Sequence, residues 1–349
     1  MDTVNRHIRL DLQSYLSLFE ESNVERTEIK GDVYIDRHEN PNNFPNNRCF
    51  SEDEAELLRS VSKYFQQPEE NILFGQGIDG LFDLILRATC APHHDSIAIV
   101  LPVGNNVLNV ARLNHVEVRN VMTDDTFELQ PKEILQVISK STKIVYFDQP
   151  GIPTGRLHSL EKIKEVLDHY EGLVVINESS LPFCQQPSLR AAINRYPNLI
   201  VLQSLAGYWA SDALGLAFAF LNKDLAKALR NINHLFPQPL TTFRQANEFL
   251  NKQGFDANKW RINILEERAK VMGAFAQMPI VLKVFPSATN FFLATFSDAE
   301  SIHRFLLEQG IHTELVKSSH PLCQNCICFT IGLPHENTRL ISALRNYKP

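Results

Sequence analysis

The stretch YPNLIVLQSLAGYWASDALGLAFAF, residues 196–220, contains two apolar runs on either side of a more polar loop. The runs are Leu199–Gln203 and Gly215–Leu221, and both are nearly continuously apolar. Continuous apolar runs of this length are typical of strands that are buried on both faces of a sheet. We therefore predict two buried strands here, joined by a loop that contains Gly207.

The preceding part of the chain repeats this pattern of short apolar runs separated by amphipathic stretches. The further strand candidates are Ser96–Leu101, Val116–Val121, Lys143–Phe147 and Leu173–Ile176. The helical candidates are residues 77–89, 105–114, 159–170 and 223–234. Strands that alternate with helices indicate the α/β class, with a mainly parallel sheet covered by helices on its faces.

A proline-rich break, FPQPLTT at residues 236–242, separates this region from a different pattern. The sequence then predicts a long helix, a strand, a helix, a strand and a final helix at residues 244–276, 291–296, 299–310, 326–332 and 335–346. We expect an N-terminal arm (residues 1–30) that packs with the small domain, a large domain (31–237) and a small C-terminal α+β domain (238–349).

Composition and charge exclude some classes of protein. The formal net charge of the 349 residues is -6, and lysine and arginine are scattered, which argues against a nucleic-acid partner. No apolar run reaches the roughly 18–20 residues of a membrane span, and the charged N-terminus lacks a secretory h-region. We therefore expect a cytoplasmic protein without a membrane partner.

Six cysteines are few for a chain of this length, and no secretion signal accompanies them. A disulfide framework is therefore not expected. The run LCQNCIC at residues 322–328 contains one C-x2-C pair, but a common zinc site needs a second pair of ligands. We expect reduced thiols rather than a metal site.

Five segments together resemble the histidinol-phosphate aminotransferases, which have the pyridoxal-phosphate (PLP) fold of type I. They are residues 196–220, DRHENPNNFP (36–45), FGQGIDGLFDLILRA (74–88), QPGIPTGRL (149–157) and LCQNCICFTIGLPHENTRLISAL (322–344). Their order and spacing extend the resemblance over nearly the whole chain. The resemblance implies a large PLP-binding domain, a small C-terminal domain, and a homodimer with active sites at the subunit interface.

The most consequential departure from this family lies in the loop of the opening stretch. Ser204-Leu205-Ala206-Gly207 stands where the family has T-x-S-K. The family lysine forms a Schiff base with PLP and then moves the proton in transamination, and glycine can do neither. No lysine occurs between Lys164 and Lys223 that would substitute for it.

Other positions that hold the cofactor in the family also differ in this chain. Asn177 replaces the aspartate that pairs with the ring nitrogen, and Ser180 and Ile152 replace a tyrosine and an asparagine at the ring oxygen. Gly104 replaces the ring-stacking tyrosine, and Gly215 replaces an arginine on the phosphate. The resemblance therefore implies that no PLP is covalently bound, although PLP is the family cofactor and weak binding is left open.

The substrate and phosphate positions give a mixed picture. Cys328 replaces the arginine that binds the substrate carboxylate, and Cys49 replaces a tyrosine supplied across the dimer interface. Asn40 keeps the family asparagine of the E-N-P segment. The phosphate loop keeps its turn glycine and helix start in Gly77-Ile78-Asp79, so a weak anion site at a helix N-terminus is expected.

Several cofactor and substrate positions differ from the family together, whereas the turn residues and the apolar periodicity of the core are kept. We therefore favour a non-catalytic binding or regulatory homologue, or a partner subunit for an active relative. The alternative is an enzyme with weak or altered activity on an amino-acid or phosphorylated substrate. The glycines at 104, 207 and 215 should enlarge the pocket, which then collapses onto Tyr208, Trp209 and Phe44 or holds water or a ligand. Its floor should carry the polar residues Asp79, Asn177, Glu178, Ser179 and Ser180.

Overall fold

The computed structural model describes residues 5–13, 35, 38, 40–42, 52–233 and 238–348. In this part of the chain, seven strands form the large sheet: β1 (Ile72–Gln76), β2 (Ser96–Leu101), β3 (Glu117–Met122), β4 (Thr142–Asp148), β5 (Leu173–Asn177), β6 (Leu199–Ser204) and β7 (Leu216–Phe220). Their order across the sheet is β1-β7-β6-β5-β4-β2-β3.

The predicted strands all form, and the sheet is mainly parallel, as expected. Strands β3, β2, β4, β5 and β6 run parallel to one another, whereas β7 is antiparallel to both β6 and β1. The sequence did not predict β1, because its apolar run is short and continues directly into a helix. The strands β2, β4, β5, β6 and β7 are almost completely buried, which explains their continuous apolar character.

Helices cover both faces of this sheet. They are α1 (Glu52–Phe65), α2 (Gly77–Thr89), α3 (Asn105–Leu113), α4 (Pro131–Val137), α5 (Leu160–His169) and α6 (Lys223–Asn233). One apolar cluster joins α2, α3 and α6 to one face, and a second joins α1, α4 and α5 to the other. A fully buried side chain such as Leu81 or Ile163 contributes about 1.5–3 kcal/mol to this packing.

The small domain is built on a second, antiparallel sheet with the strand order β10-β11-β9-β8. Its elements are α7 (Leu240–Phe275), β8 (Val281–Val284), β9 (Phe291–Phe296), α8 (Ala299–Glu308), β10 (Glu314–Leu315), β11 (Cys326–Thr330) and α9 (Pro334–Asn346). The rings of Phe275, Phe292 and Phe329 lie 4.8–5.6 Å apart at its centre.

The long helix α7 belongs to both domains. Its first half packs through Phe243, Ala246 and Leu250 against the large-domain core, and its last residues, Val271 and Phe275, join the small-domain core. The predicted boundary between residues 237 and 238 falls just before this helix, although the packing changes from one domain to the other inside it.

The N-terminal arm departs from the expectation where it is described. The backbone N–H of Arg9 donates to the carbonyl of Ala88 at 3.0 Å, and Ile8 is buried in the large-domain core. Residues 5–13 therefore pack against α2 of the large domain and not with the small domain, because Ile8 finds its apolar partners there. Residues 14–34 lie outside the described part of the chain.

A loop contact fixes the small domain on the large one beside the PTG turn. The backbone N–H of Ala288 donates to the carbonyl of Gly155 at 2.9 Å, and the thiol of Cys184 reaches the carbonyl of Ala288 at 3.3 Å. Gly155 has a positive φ of +67°, which glycine adopts without steric cost. The retained turn therefore shapes the junction of the two domains.

Candidate ligand cavity

A cavity of about 320 Å³ opens where β4 and β5 end, beneath the edge of the small domain. Asp148 and Asn177 are the last residues of these parallel strands, and they are paired in the strand register. Open α/β sheets bind ligands at this carboxyl edge. The lining residues are Ile78, Asp79, Gly104, Asn105, Asn106, Val107, Tyr146, Asp148, Ile152, Asn177 and Glu314.

Asp148 is the central polar group of the cavity wall and is only 3% exposed. Its Oδ1 accepts hydrogen bonds from the Tyr146 hydroxyl at 3.0 Å and from the Asn177 amide at 2.9 Å. Its Oδ2 has no hydrogen-bond partner among the described residues. Burial raises the pKa of Asp148 to about 7, against the opposing effect of the hydrogen bonds from Asn177, from Tyr146 and from the backbone N–H of Gly104.

Asn177 is held in one orientation by hydrogen bonds at both ends of its amide. Its Nδ2 donates to Asp148, and its Oδ1 accepts from the backbone N–H of Ser179 at 3.0 Å. The acceptor and one donor hydrogen are thus engaged within the protein. Asn177 acts here as a support for the buried carboxyl group.

Two further carboxylates complete the polar lining. Asp79, in the first turn of α2, accepts a hydrogen bond from the Asn106 amide at 2.8 Å. Glu314 extends from β10 of the small domain, and partial burial raises its pKa. No lysine, arginine or histidine occurs among the described lining residues, so the cavity is strongly acidic.

The structure brings five of the sequence-predicted site residues together in this cavity. They are Ile78, Asp79, Gly104, Ile152 and Asn177. The other candidate positions that are described do not line it: Asn40, Gly77, Ser180, Ser204, Gly207, Gly215 and Cys328. Cys49 and Phe44 lie outside the described residues.

Gly207 begins a short 3-10 helix, Gly207–Trp209, directly after the loop that follows β6. Its φ is +53°, and its backbone N–H donates to Asp212 Oδ2 at 3.2 Å. An added Cβ at Gly207, Gly215 or Gly104 meets no described atom within 4 Å. All three glycines therefore leave open space, but only Gly104 contributes to the cavity wall.

The expected collapse onto Tyr208 and Trp209 does not occur at this cavity. Trp209 is 2% exposed and packs edge-on against Tyr64 and Tyr208, with ring centroids 5.0 and 5.3 Å away. This aromatic group packs with the core between the sheet, α1 and α7, because that face offers a larger apolar surface. Neither residue lines the cavity.

The predicted cavity floor also needs correction at Glu178. This residue is fully buried and accepts hydrogen bonds from Leu189 N at 2.8 Å, Gln203 Nε2 at 3.0 Å and the Ser188 hydroxyl. It anchors the following loop away from the cavity. Ser180, at the start of the 3-10 helix Leu181–Phe183, likewise stays outside, so Asp79 and Asn177 are the predicted floor residues that reach the cavity.

Cys328 and Asn40 do not assemble into a substrate site. Cys328 is buried with Phe127 and Phe285, and burial raises the pKa of its thiol far above the usual range. The Asn40 side chain is exposed and accepts the backbone N–H of Asn42 at 3.0 Å in a local turn. Within the described residues, no group of three His, Cys, Asp or Glu side chains is arranged to hold a metal ion.

Asp148, Tyr146 and Glu314 were missed at the level of sequence. Asp148 carries a recognisable signal, because an acidic residue directly follows the buried run of β4 and precedes the QPGIPTG turn. Glu314 carries no local signal, since it faces the cavity only through the docking of the small domain.

Comparison with known proteins agrees with this fold. The model of the aminotransferase class I and II family matches residues 32–344. The chain belongs to this family. The histidinol-phosphate aminotransferase of Bacteroides fragilis (strain YCH46) is 34% identical over 316 residues, which are 90% of this chain and 91% of that protein. The corresponding protein of Bacteroides thetaiotaomicron is 32% identical over 93% of this chain and 94% of its own length.

Solved structures show the same architecture. The histidinol-phosphate aminotransferase of Sinorhizobium meliloti, crystallised with pyridoxal-5'-phosphate, superposes with a TM-score of 0.75 at 19% identity. The superposition covers 84% of this chain and 81% of that one. Among the residues that the structure describes, no helix combines the length and apolarity needed to cross a membrane.

The family uses PLP, and the cavity of this chain does not suit that cofactor. PLP carries an anionic phosphate, whereas the charged lining residues are Asp79, Asp148 and Glu314. No amine lines the cavity to receive the aldehyde, and Asn177 is already engaged with Asp148. The described lining residues therefore do not fit PLP, and we derive no reaction step through it.

Proposed function

We propose that this chain is a non-catalytic member of the aminotransferase family that works by binding a small molecule. The observation that carries the proposal is the acidic cavity, which contains three carboxylates and no amine among its described lining residues. Transamination on PLP needs an amine to form the Schiff base and a cationic or polar cradle for the phosphate. Gly207 provides no amine, and no cationic side chain lies among the described lining residues.

The activity of the Bacteroides relatives places a further demand on the site. A histidinol-phosphate aminotransferase handles a phosphorylated substrate in addition to its cofactor. Anionic groups that enter a cavity lined by Asp79, Asp148 and Glu314 are repelled, and the low dielectric of a buried site strengthens this repulsion. The lining therefore argues against that substrate as well as against the cofactor.

The proposal is tested by adding PLP to the purified protein, with the Bacteroides fragilis relative treated in parallel. We expect no Schiff-base absorbance, no mass increase after borohydride reduction, and no amino transfer from glutamate or histidinol phosphate. The relative serves as the positive control for all three measurements.

The possible outcomes separate the alternatives. A borohydride-dependent mass increase at a lysine together with amino transfer would overturn the proposal. A thermal shift with PLP and slow amino transfer, without a covalent adduct, would favour the enzyme with weak or altered activity. Absence of all these signals supports the loss of catalysis.

Restoring the lysine alone is expected to leave the protein inactive. Gly207→Lys should show no measurable amino transfer, because the carboxylates of the cavity and Gly104 remain in place. The left-handed backbone at this position should also lower the free energy of unfolding by about 1–2 kcal/mol.

Gly207→Ala is the matched control, since it carries the same backbone strain without an amine. Activity is measured by coupled assay with PLP present, and stability by urea unfolding. Substantial amino transfer by Gly207→Lys, with none by Gly207→Ala, would mean that the remaining site residues suffice for catalysis.

A further inference from the structure

We propose that His320 is a pH-sensitive contact that holds the small domain against the large one near neutral pH and releases it at acidic pH. His320 lies in the connection between β10 and β11 (residues 316–325), and its ring reaches Thr123, which directly follows β3 of the large domain. The contact joins the two domains and does not depend on which ligand the cavity takes. Its pH sensitivity follows from the partners of the two ring nitrogens.

The first ring nitrogen, Nε2, carries the proton of the neutral imidazole. It lies 3.1 Å from the hydroxyl oxygen and 3.3 Å from the carbonyl oxygen of Thr123. That hydroxyl donates its own hydrogen to the carbonyl of Leu101 at 2.9 Å, so both Thr123 oxygens are acceptors toward the ring. The Nε2–H group of His320 therefore donates across the domain junction to Thr123, which is itself fixed on the end of β2.

The second ring nitrogen, Nδ1, is the acceptor of the neutral ring. It accepts the backbone N–H of Leu322 at 3.3 Å and so caps the short 3-10 helix Pro321–Cys323. A proton on Nδ1 would point at this N–H, because the imidazolium ion is a donor at both nitrogens. The neutral ring satisfies its contacts in both domains, whereas the charged ring must give up the cap or turn away from Thr123.

The ring is enclosed by residues of both domains. It is 3% exposed, and its centroid lies 5.1 Å from that of Phe127 in the large domain. The Phe127 ring in turn packs 5.0 Å from Phe285 of the small domain. The loop that presents Phe127 is held by Asp124, whose Oδ1 accepts two backbone N–H groups of the same loop. Release of the contact should therefore move the segment around His320 rather than this loop.

The contact should weaken as the pH falls. Burial lowers the pKa of His320 from its ordinary value of 6.5, against the opposing effects of the Thr123 carbonyl and the Asp124 carboxylate. The contribution of the neutral ring is complete above about pH 6.5 and is lost as the pH falls through the lowered pKa. Asp124 is the charged group that acts on the ring from the large domain. Burial raises the pKa of the neighbouring small-domain thiols, which stay neutral: Cys323, Cys326 and Cys328.

Release of His320 would reach the cavity through β10. This strand is two residues long and pairs with β11 at the edge of its sheet. It carries Glu314, which lines the cavity from the small domain. Because the connection from β10 to β11 contains His320, loosening it should move Glu314 away from the cavity. The cavity should therefore be more open to solvent at acidic pH.

The test is hydrogen–deuterium exchange of the full chain at about pH 7.5 and about pH 5, with labelling times scaled for the intrinsic pH dependence of amide exchange. At the lower pH we expect peptides that cover residues 314–328 to lose about tenfold in protection, the range of one buried hydrogen bond, while β4 and β5 keep theirs. His320→Gln keeps an amide donor toward Thr123 and has no titrating ring. Its protection should be the same at both pH values.

His312→Gln is the matched control, because His312 is an exposed histidine of the same domain, and this variant should respond to pH as the wild-type protein does. His320→Asn keeps an acceptor for the N–H of Leu322 but is too short to reach Thr123, so its protection should be low at both pH values. An NMR titration of labelled histidines in the wild-type protein needs no variant. His320 should take up its second proton below pH 6.5.

Unchanged protection of residues 314–328 in the wild-type protein between the two pH values would overturn the proposal. An equal loss of protection in His320→Gln would overturn it as well, because another group would then be responsible. Protonation of His320 at or above pH 6.5 would contradict the neutral, buried ring. These outcomes are independent of the amino-transfer assays, which test the proposed function.

Discussion

Replacing Asp148 with asparagine is expected to increase the free energy of unfolding of the ligand-free protein near pH 8 by as much as about 4 kcal/mol. Burial raises the pKa of Asp148 from 3.8 to about 7 in the folded protein. This difference of roughly three pH units, at 1.36 kcal/mol per unit, sets the size of the effect. Asparagine keeps the oxygen that accepts from Tyr146 and Asn177 and removes the buried charge.

The sign of the pH dependence follows from the raised pKa. Between about pH 4 and 7 the folded protein binds a proton at Asp148 that the unfolded chain has released. Below the unfolded pKa of 3.8, Asp148 is protonated in both states and the folded protein has its full stability. The free energy of unfolding then falls as the pH rises, and the contribution of this proton is lost above about pH 7. The variant has no titrating group at this position and lacks this decline. The difference in the free energy of unfolding between the variant and the wild-type protein should therefore be small near pH 4 and largest near pH 8.

Urea unfolding of both proteins across this pH range measures the effect. Asp125→Asn is the control, because Asp125 is exposed and lies outside the cavity. A lower stability of Asp148→Asn near pH 8 would mean that the ionised carboxylate is already stabilised in the folded protein.

Replacing Gly155 with alanine is expected to lower the free energy of unfolding by about 3 kcal/mol, from strain and overpacking together. An added Cβ at this position would overlap the hydroxyl oxygen of Ser287 and lie 2.7 Å from its Cβ. The φ of +67° would add the left-handed penalty of a non-glycine residue. The clash falls where the small domain contacts the large one.

Gly273→Ala provides the matched control, since Gly273 is inside α7 and its added Cβ meets no described atom within 4 Å. Alanine in a helix should increase the stability by up to about 1 kcal/mol. Both variants are compared by urea unfolding. A loss below about 1 kcal/mol for Gly155→Ala would mean that the loop of Ser287 moves away easily.

The functional consequence of Gly155→Ala concerns the cavity between the domains. Glu314 reaches the cavity from β10, so its position depends on how the small domain is seated.

The positions of the buried strands could be predicted from the sequence because their residues are apolar on both faces. Leu199–Ser204 and Leu216–Phe220 differ from the predicted runs by only one residue at their ends. The helices α2 and α5 were equally clear, since their apolar residues repeat with the helical period. The five-segment resemblance gave the family, because its motifs preserve order and spacing along the chain.

The candidate site was only partly predictable. Ile78, Asp79, Gly104, Ile152 and Asn177 were identified from the family motifs and do meet in one cavity. Gly207, Gly215 and Cys328 were expected at the same place but do not line it. A motif assigns a residue to a loop, whereas the direction of that loop is set by packing, as the burial of Trp209 shows.

The sequence by itself determined six of the seven strands of the large sheet, the family and the absence of a lysine from the loop around Gly207, since each of these is a property of local residue patterns. Only the tertiary structure decided that Asp148 is a buried carboxyl group, and that Glu314 lines the same cavity from the small domain. The physical reason is that burial and charge proximity arise from contacts between residues far apart in the chain. The same contacts turn a cofactor fold into an acidic cavity.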